Sequence, residues 1–362
     1  VIGYGTALKR ELTGAITSVR SDEITLTPTP NAMEALQGKV AGMDIVRSSG
    51  RAGSDVNITL RGNRSINGSN EPLFLIDGMI GNYNDLNPND IQSMEILKDA
   101  SSTAIYGSAG ANGVVLITTR KGRAGKPRIN FDMYAGVNGM AKYPHGRTGE
   151  NYIELRRQAA ITQGSWHSPE DDINIFSTAE WDAIQNNQWV DWVDLALRTG
   201  SEQNYSLSVT SGGENTQAYF SLNYNKEKGI LENDDAKKYA FRANIDQNIF
   251  KWLKAGVNSQ FTYTDVNQRK ASVFTQSLSA SPFGIPFTEE GGINVFPIVG
   301  SPSTISPLAD EVPNSAVNNT LNTRFQGNAY LDILPLPGLS IRSVVGVVTN
   351  SSRQGIYNGI SS

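Results

Sequence analysis

Two patterns of apolar and polar residues divide the chain near Gly122. Before that point, short apolar runs are separated by turn residues, and Asn31 can cap a helix that carries Met33, Leu36 and Val40 on one face. Such runs predict a compact domain around a small mixed sheet, with a brief helix over Ala100–Tyr106. The runs are Met43–Val46, Val56–Leu60, Leu73–Ile76, Met94–Leu97 and Val114–Ile117.

Beyond Gly122, apolar and polar residues alternate with a period of two, which predicts strands with two different faces. In the first such segment the odd-numbered residues are apolar and the even-numbered ones are mostly polar. Most segments can extend to the ~9–11 residues with which a tilted strand crosses a bilayer. The predicted strands contain Ile129–Val137, Tyr205–Val209, Phe220–Tyr224, Tyr239–Ile245, Leu253–Tyr263, Phe325–Ile333 and Leu339–Val347.

The connections distinguish two architectures that alternation alone leaves open, a membrane barrel and a soluble sandwich. Short turns near 212–215, 248–251 and 335–338 alternate with long polar segments near 140–203, 226–237 and 265–322. Short turns at one end and long loops at the other are typical of bacterial outer-membrane barrels. Aromatic residues near strand ends favour the same architecture, since a barrel carries such residues at both membrane interfaces. They are Tyr224, Tyr239, Trp252 and Tyr263.

Composition excludes several classes of function. The net charge of -4, from 31 Lys and Arg against 35 Asp and Glu, provides no basic field for nucleic acid. The absence of cysteine excludes thiol catalysis and cysteine-ligated metals. No stretch approaches the ~18 apolar residues of a membrane helix. The chain begins with Val1 and has no basic-then-apolar leader, so we expect a preceding piece to have been removed.

The glycine-rich segments lack the spacing of nucleotide-binding motifs. Gly107, Gly110 and Gly113 are three residues apart, and the Gly-Lys of "GRAGKP" is not followed by Ser or Thr. No nucleophile elbow occurs, and His145 and His167 stand alone in loop-like sequence. We therefore expect no enzyme activity, no catalytic residue, no cofactor and no metal.

Aromatic residues are concentrated in the first long loop, where they allow two interpretations. Stacking on a sugar is one, and packing of a folded loop is the other and the favoured one. The residues are Tyr152, Trp166, Trp181, Trp189 and Trp192.

Three segments before Gly122 carry a resemblance to a known family. "ALQGKVAGMDIV" from Ala35, "ITLRGNRSINGSNEPLFLIDG" from Ile58 and "NPNDIQSMEILKDASSTAIYGSAGANGVVLITTRKG" from Asn87 closely resemble the plug of SusC/RagA-type TonB-dependent outer-membrane transporters. The leading "VIGYGT" resembles the end of the TonB box that precedes such a plug.

The resemblance implies a transmembrane β-barrel of about 22 strands, of which about seven are present here, with an N-terminal mixed α/β plug domain. The expected domains are a TonB-box remnant over 1–6, the plug over 7–122 and the first part of the barrel over 123–362. The implied function is active import of a glycan, oligosaccharide or peptide across the bacterial outer membrane. The implied partners are the TonB–ExbB–ExbD energy-transducing complex, a SusD-type surface lipoprotein, the substrate and outer-membrane lipid.

The resemblance also assigns residues. We expect TonB to interact with Val1, Ile2, Gly3, Tyr4, Gly5 and Thr6, by strand addition to an exposed sheet edge. The plug motif comprises Arg61, Gly62, Asp77, Gly78, Gly107, Gly110 and Gly113, and the candidate ligand-facing residues are Asn63, Arg64, Asn67 and Asn70.

Local chemistry adds a structural expectation for the plug motif. Small residues at Ala100–Ser102 and Gly107–Gly113 can let a short helix and turn press closely on a sheet. For Asp77 we favour turn capping, and for Arg61 a charge pair with the barrel wall.

The alternation also predicts which side chains face lipid and which face the lumen or plug. Phe220, Leu222, Phe241, Ala243 and Ile245 are expected in lipid, and Asn223, Arg242 and Asn244 in the lumen.

Two other functions remain open on sequence alone: a surface or secreted β-protein that binds carbohydrate without transporting it, and a receptor that uses its plug for signalling. Seven strands cannot close around a plug, because a barrel of about eight strands is filled by its own side chains. We therefore expect an incomplete, curved sheet that wraps one side of the plug, and further sequence outside Val1–Ser362.

Overall fold

The computed structural model describes residues 16–63, 65–66, 68–270, 272–298 and 304–359. The expected TonB-interacting residues Val1–Thr6, and the candidate ligand-facing Arg64 and Asn67, lie outside the described residues. Two units are present: an N-terminal domain of short strands, the plug, and a large antiparallel sheet, the wall.

The plug contains a five-stranded sheet in the order β1-β6-β7-β4-β5 and a separate hairpin of β2 and β3. Strands β4 and β7 are parallel, whereas the other pairs are antiparallel. The strands are β1 (Ile16–Arg20), β2 (Met43–Arg47), β3 (Val56–Leu60), β4 (Leu73–Ile76), β5 (Met79–Ile80), β6 (Ile91–Leu97) and β7 (Val114–Thr119), and the short helices are α1 (Ser21–Ile24) and α2 (Ala100–Thr103).

Two apolar clusters hold the plug together, which explains why its strands read as short continuous apolar runs. Their largest fully buried side chains include Ile24, Met33, Leu36, Ile58, Leu86, Ile91, Met94, Ile96 and Ile117. At roughly 1.5–3 kcal/mol for each such side chain, this burial is the main source of the plug's stability.

The prediction of a helix after Asn31 is wrong. Only one 3-10 turn forms, over Glu34–Leu36. The Asn31 side chain does accept a hydrogen bond from the Met33 amide, at 2.9 Å. Gly38 then adopts a φ of +74°, which ends the helical path, and Val40 reaches the core from the irregular segment that follows.

The wall is an antiparallel meander of seven strands in sequence order, with β8 and β14 at its two edges. All the strands predicted from alternation are present, and the sheet is open, as expected. Residues 213–215, 251–252 and 337–338 connect strands at the short-turn end, and residues 139–199, 229–234 and 268–315 connect them at the long-loop end. The strands are β8 (Gly125–Asn138), β9 (Gly200–Gly212), β10 (Thr216–Lys228), β11 (Asp235–Phe250), β12 (Leu253–Asn267), β13 (Ala316–Leu336) and β14 (Leu339–Asn358).

The long loops fold into helical structure with a core of its own. Side chains from all three loops form that core, namely Trp192, Ala196, Leu231, Val273 and Leu308. Trp192 is buried and donates to the Ser281 carbonyl at 2.7 Å, and Trp166 donates to the Asp172 carboxylate at 2.8 Å. The packing interpretation is therefore confirmed for these two tryptophans. The helices are α3 (Glu150–Gln163), α4 (Asp172–Ile175), α5 (Thr178–Gln185), α6 (Trp192–Ala196) and α7 (Val273–Ser279).

Within the described ranges, no helix combines the length and the apolar character needed to cross a membrane.

Candidate functional site at the seam between plug and wall

The wall's outward face carries a row of tyrosines across four neighbouring strands. Tyr205, Tyr224, Tyr239 and Tyr263 stand directly opposite one another in the register. Their ring centroids are 4.9–6.2 Å apart. Such a row has the composition of an interfacial aromatic girdle, in which the ring is apolar and the hydroxyl reaches water.

A second aromatic group lies near the short-turn end, where Phe250 and Trp252 stack with centroids 5.5 Å apart. Ten residues of β11 separate Tyr239 from Ile249, which corresponds to about 26 Å across a sheet tilted by ~40°. The outward side chains between these levels are mostly apolar, including Phe220, Leu222, Phe241 and Ile245. The distance between the two aromatic levels matches the height of the apolar band of outer-membrane barrels, ~25 Å.

In the middle strands of the wall the opposite face is polar and is buried by the plug, whereas the edge strands β8 and β14 are mostly exposed. Arg242 and Asn244 are 3% and 1% exposed, although they alternate in sequence with the exposed Phe241 and Ile245. The predicted division of β10 and β11 into an outward side and a plug-facing side is therefore confirmed, and contact of the outward side with lipid stays a prediction. Other buried polar residues of this face are Ser206, Ser221, Asn223, Asp246, Asn258, Gln260, Thr262, Gln326 and Asn328.

Arg242 is the central cation of the seam. Its guanidinium lies 3.5 Å from the Asp77 carboxylate and 3.8 Å from that of Asp90, both in the plug. It also donates to the Thr119 hydroxyl at 3.2 Å and to the neighbouring wall residue Gln260. Since all three charged side chains are nearly fully buried, each needs the others to offset the loss of hydration.

Asp77 both forms a turn and pairs with the wall, whereas the sequence suggested the turn role for Asp77 and the wall pair for Arg61. Asp77 and Gly78 have φ angles of 50° and 86°, as the two central residues of a tight turn between β4 and β5 require. The Asp77 carboxylate accepts from the Thr119 amide at 2.9 Å and from its hydroxyl at 2.7 Å. The same carboxylate faces Arg242 of the wall, so the wall charge pair belongs to Asp77.

Arg61 forms its ion pair inside the plug. Its guanidinium lies 2.5 Å from the Asp99 carboxylate, which follows β6. Arg61 and Gly62 both have positive φ, of 60° and 78°, at the turn after β3. The expected pairing of Arg61 with the wall is replaced by this contact because the turn after β3 lies beside β6.

Further contacts extend the seam around the plug. Tyr219 of the wall donates to Asp90 at 2.8 Å, and Asn87 donates to Ser206 at 2.9 Å. The Arg324 guanidinium lies 3.0 Å from the Asp85 carboxylate. Burial raises the pKa of Asp85 above its usual range, and the nearby Arg324 opposes that rise.

The junction between plug and wall requires glycine. A Cβ on Gly122 would lie 2.1 Å from the Ala218 amide nitrogen of β10, so a larger residue would force the chain away from the wall. Strand β7 ends at Thr119 and β8 begins at Gly125. The change from plug to wall therefore occurs within these few residues.

The other glycines of the plug motif support close packing. Gly107 has a φ of 59° between two helical turns. A Cβ on Gly113 would lie 2.3 Å from Leu60, and one on Gly110 would lie 3.0 Å from the Thr103 carbonyl. The segment after β6 thus folds against the plug core, as its small residues predicted.

The candidate ligand-facing residues lie in the connection after β3. Asn63 is exposed, and the Asn70 side chain closes the connection by two hydrogen bonds to the Ser65 backbone. This connection leaves the end of β3 opposite to the one that faces the long loops. Ligand contact by Asn63, Arg64, Asn67 and Asn70 stays a prediction.

Sequence reasoning missed the seam's plug-side partners, Asp90 and Thr119. Asp90 had a usable signal, because an acid directly before an apolar strand is well placed to cap or to pair. His145 and His167 contact Asp191 and Asp171 in the first long loop, at 2.8 and 3.5 Å. No group of three or more potential metal ligands occurs among the residues that the structure covers.

Comparison with known proteins agrees with this architecture. Residues 8–114 match the family model described as TonB-dependent Receptor Plug Domain. A TonB-dependent receptor of Formosa agariphila is 35% identical over 370 residues, which cover 100% of this chain and 36% of that protein. The TonB-dependent receptor SusC of Bacteroides thetaiotaomicron is 30% identical over 285 residues, 72% of this chain and 26% of SusC.

A solved structure of the RagAB peptide importer in its open-open state superposes with a TM-score of 0.82 at 26% identity, over 98% of this chain and 43% of that one. A plug seated on the polar face of a barrel wall defines the class of TonB-dependent receptors. Within that class, the chain belongs to the SusC/RagA-type family. It spans about a third of the length of the first curated relative.

Proposed function

We propose that this chain forms the plug and part of the barrel of an importer that takes up a glycan, oligosaccharide or peptide across the bacterial outer membrane. In this proposal TonB–ExbB–ExbD supplies the energy, a SusD-type surface lipoprotein presents the substrate, and the long loops face the cell exterior. The names of the relatives support this, since they include SusC and the RagAB peptide importer.

The proposal depends on the two faces of the wall, which are reversed relative to those of a water-soluble sheet. In the middle strands the wall's outward face presents an apolar band between a tyrosine row and an aromatic pair, and its inward face is polar and largely covered by the plug. A water-soluble sheet would bury its apolar face instead. A plug held by polar contacts can part from the wall and keep its own apolar core intact.

The seam side chains have a defined part in this cycle. In the resting state Arg242 holds Asp77 and Asp90, and Arg324 holds Asp85, so the plug stays seated. Force applied through the segment before β1 would break these contacts, and water would rehydrate the separated charges. Because water rehydrates the charges once they separate, much of the cost of breaking these buried contacts is offset, which suits a plug that must move repeatedly.

Deletion of Val1–Thr6 from the full-length protein tests the energy coupling. Uptake should be abolished, whereas binding of the same substrate to the purified protein stays near normal, because TonB adds a strand to this segment and the substrate does not contact it. Growth on single oligosaccharides and peptides measures uptake, and calorimetry with the nutrient that supports growth measures binding. Loss of both together would show a folding role for the segment and contradict the proposal.

A further inference from the structure

The hairpin loop between β2 and β3, residues 48–55, inserts into the long-loop end of the wall. Ala52 at its tip is fully buried. The Gly53 amide donates to the Glu227 carboxylate at 2.9 Å. A Cβ on Gly53 would lie 3.1 Å from Ala236 and 3.2 Å from Val266, so the tip touches two wall strands. We call residues 48–55 the plug tip.

Arg51 fixes the plug tip to the loop between β10 and β11. Its guanidinium donates two hydrogen bonds to the Asp234 carboxylate, at 2.7 and 2.8 Å, and a third to the Arg269 carbonyl. The Asp234 side chain is 0% exposed. Two-point contact between a guanidinium and a buried carboxylate gives a strong and directional pair.

Hydrogen bonds also connect the Asp234 carboxylate to the loop between β12 and β13. Asp234 also accepts from the Arg269 amide at 2.5 Å. The Arg269 guanidinium in turn donates to the Asp310 carboxylate at 2.6 and 2.8 Å, and to Glu311 at 2.5 Å. The side chains of Asp234, Arg269 and Asp310 are 0%, 1% and 6% exposed, and that of Arg51 is 18% exposed, so the path is buried from Asp234 onward.

Apolar contacts connect the same loops. Leu231, in the loop that carries Asp234, packs with Trp192, Val273 and Leu308 in the core of the long loops. A Cβ on Gly229 would lie 3.1 Å from the Ala52 amide nitrogen, so this loop also touches the plug tip directly. Three segments that are distant in sequence therefore meet at Asp234.

We infer that Arg51, Asp234, Arg269 and Asp310 form a relay that couples the long loops to the plug tip. A displacement of residues 307–311 alters the position of Arg269, which then withdraws a hydrogen bond from Asp234 and loosens its hold on Arg51. The inference rests on the proposed import function for its purpose, since a substrate or lipoprotein that moves the long loops would thereby release the outer end of the plug.

Hydrogen–deuterium exchange on the full-length protein tests the relay without any substrate. Asp310→Asn removes the negative charge that pairs with Arg269 and leaves every plug contact intact. We expect exchange in residues 48–55 to rise about tenfold, as it should also in Arg51→Lys, which loses the two-point contact. The matched control is Glu232→Gln, which removes the Glu232 pair with Arg198 in the same loop as Asp234 and should leave residues 48–55 unchanged.

Two results would overturn the relay. One is faster exchange confined to residues 268–315 in Asp310→Asn, and the other is an equal effect of Glu232→Gln on the plug tip. Heat-modifiable electrophoretic migration shows that each variant retains a folded barrel, and the mild Arg51→Lys change retains the buried positive charge. Since no uptake is measured, failure of the relay is distinguishable from failure of the proposed import.

Discussion

The plug and the wall bury opposite kinds of side chain. The plug buries Ile58, Met94 and Ile117 in an apolar core. The wall buries Arg242, Asn244 and Asn258 against the plug and leaves Phe241 and Ile245 exposed. A sheet with its apolar face outward is stable only where that face meets lipid or another apolar surface.

The comparison explains how two bodies in close contact can remain separable. The plug has a complete apolar core, so its folding does not depend on the wall for hydrophobic burial. The seam is polar, with buried charges at Arg242, Asp77 and Asp90. Water can replace those contacts when the plug moves, which it cannot do for an apolar interface.

The largest effect should come from Arg242→Met, which leaves Asp77 and Asp90 without their cation in a buried seam. We expect a loss of about 3–5 kcal/mol in plug seating. The conductance of the full-length protein in planar bilayers is recorded at increasing urea concentrations. The urea concentration at which the pore opens measures that loss. Arg342→Met is the matched control, because Arg342 pairs with Asp332 on the same sheet and is about half exposed. Equal pore opening in both variants would contradict a central role for Arg242.

Next in size is Leu222→Arg, which places a charge on the outward apolar band and should cost ~2–4 kcal/mol. Reversible unfolding from lipid vesicles measures the cost. The same substitution at Leu26, a plug residue that is 75% exposed, should change stability by no more than about 0.5 kcal/mol. If the two substitutions cost the same, the outward face does not meet lipid.

Asp77→Asn separates the turn role of this residue from its charge. Asparagine accepts positive φ, so the turn to β5 should persist, whereas the carboxylate contacts to Thr119 and Arg242 weaken. The expected cost is about 1–3 kcal/mol. Denaturant unfolding measures it, and Asp77→Ala should cost more because alanine adds backbone strain at φ 50°. An alanine variant as stable as the asparagine variant would show that the turn imposes no strain.

The smallest effect concerns acid in the first long loop, outside both plug and wall. Hydrogen bonds from Arg157, and then from Trp166, hold the pKa of Asp172 below its usual range. A lowered pKa in the folded state stabilises the fold above the unfolded value of ~3.9, and that stability is lost as the pH falls through the folded pKa. Limited acid proteolysis of 150–176 should therefore increase below about pH 4.

Asp172→Asn provides the control for that experiment. The variant should be cleaved faster at neutral pH and should lose the acid-dependent step, because it has no carboxylate to titrate. An unchanged step in the variant would assign the acid sensitivity to another group.

Local pattern determined much of this architecture. The period-two alternation predicted the seven wall strands and the outward and plug-facing sides of β10 and β11, because side-chain direction in a strand follows from sequence spacing alone. The alternation of short turns with long loops favoured the wall of a barrel over a sandwich. The small residues between β6 and β7 predicted close packing, since only a chain without bulky Cβ substituents can fold back so tightly there.

Only the tertiary structure decided the pairings and the exceptions. Arg242 meets Asp77 across 165 residues of sequence, and Arg61 meets Asp99 where a wall contact was expected. The helix predicted after Asn31 is one 3-10 turn, because Gly38 takes a positive φ and Val40 then enters the core from irregular chain. Periodicity reports the environment on each side of a strand, whereas a long-range ion pair depends on where two separately encoded surfaces come to rest against each other.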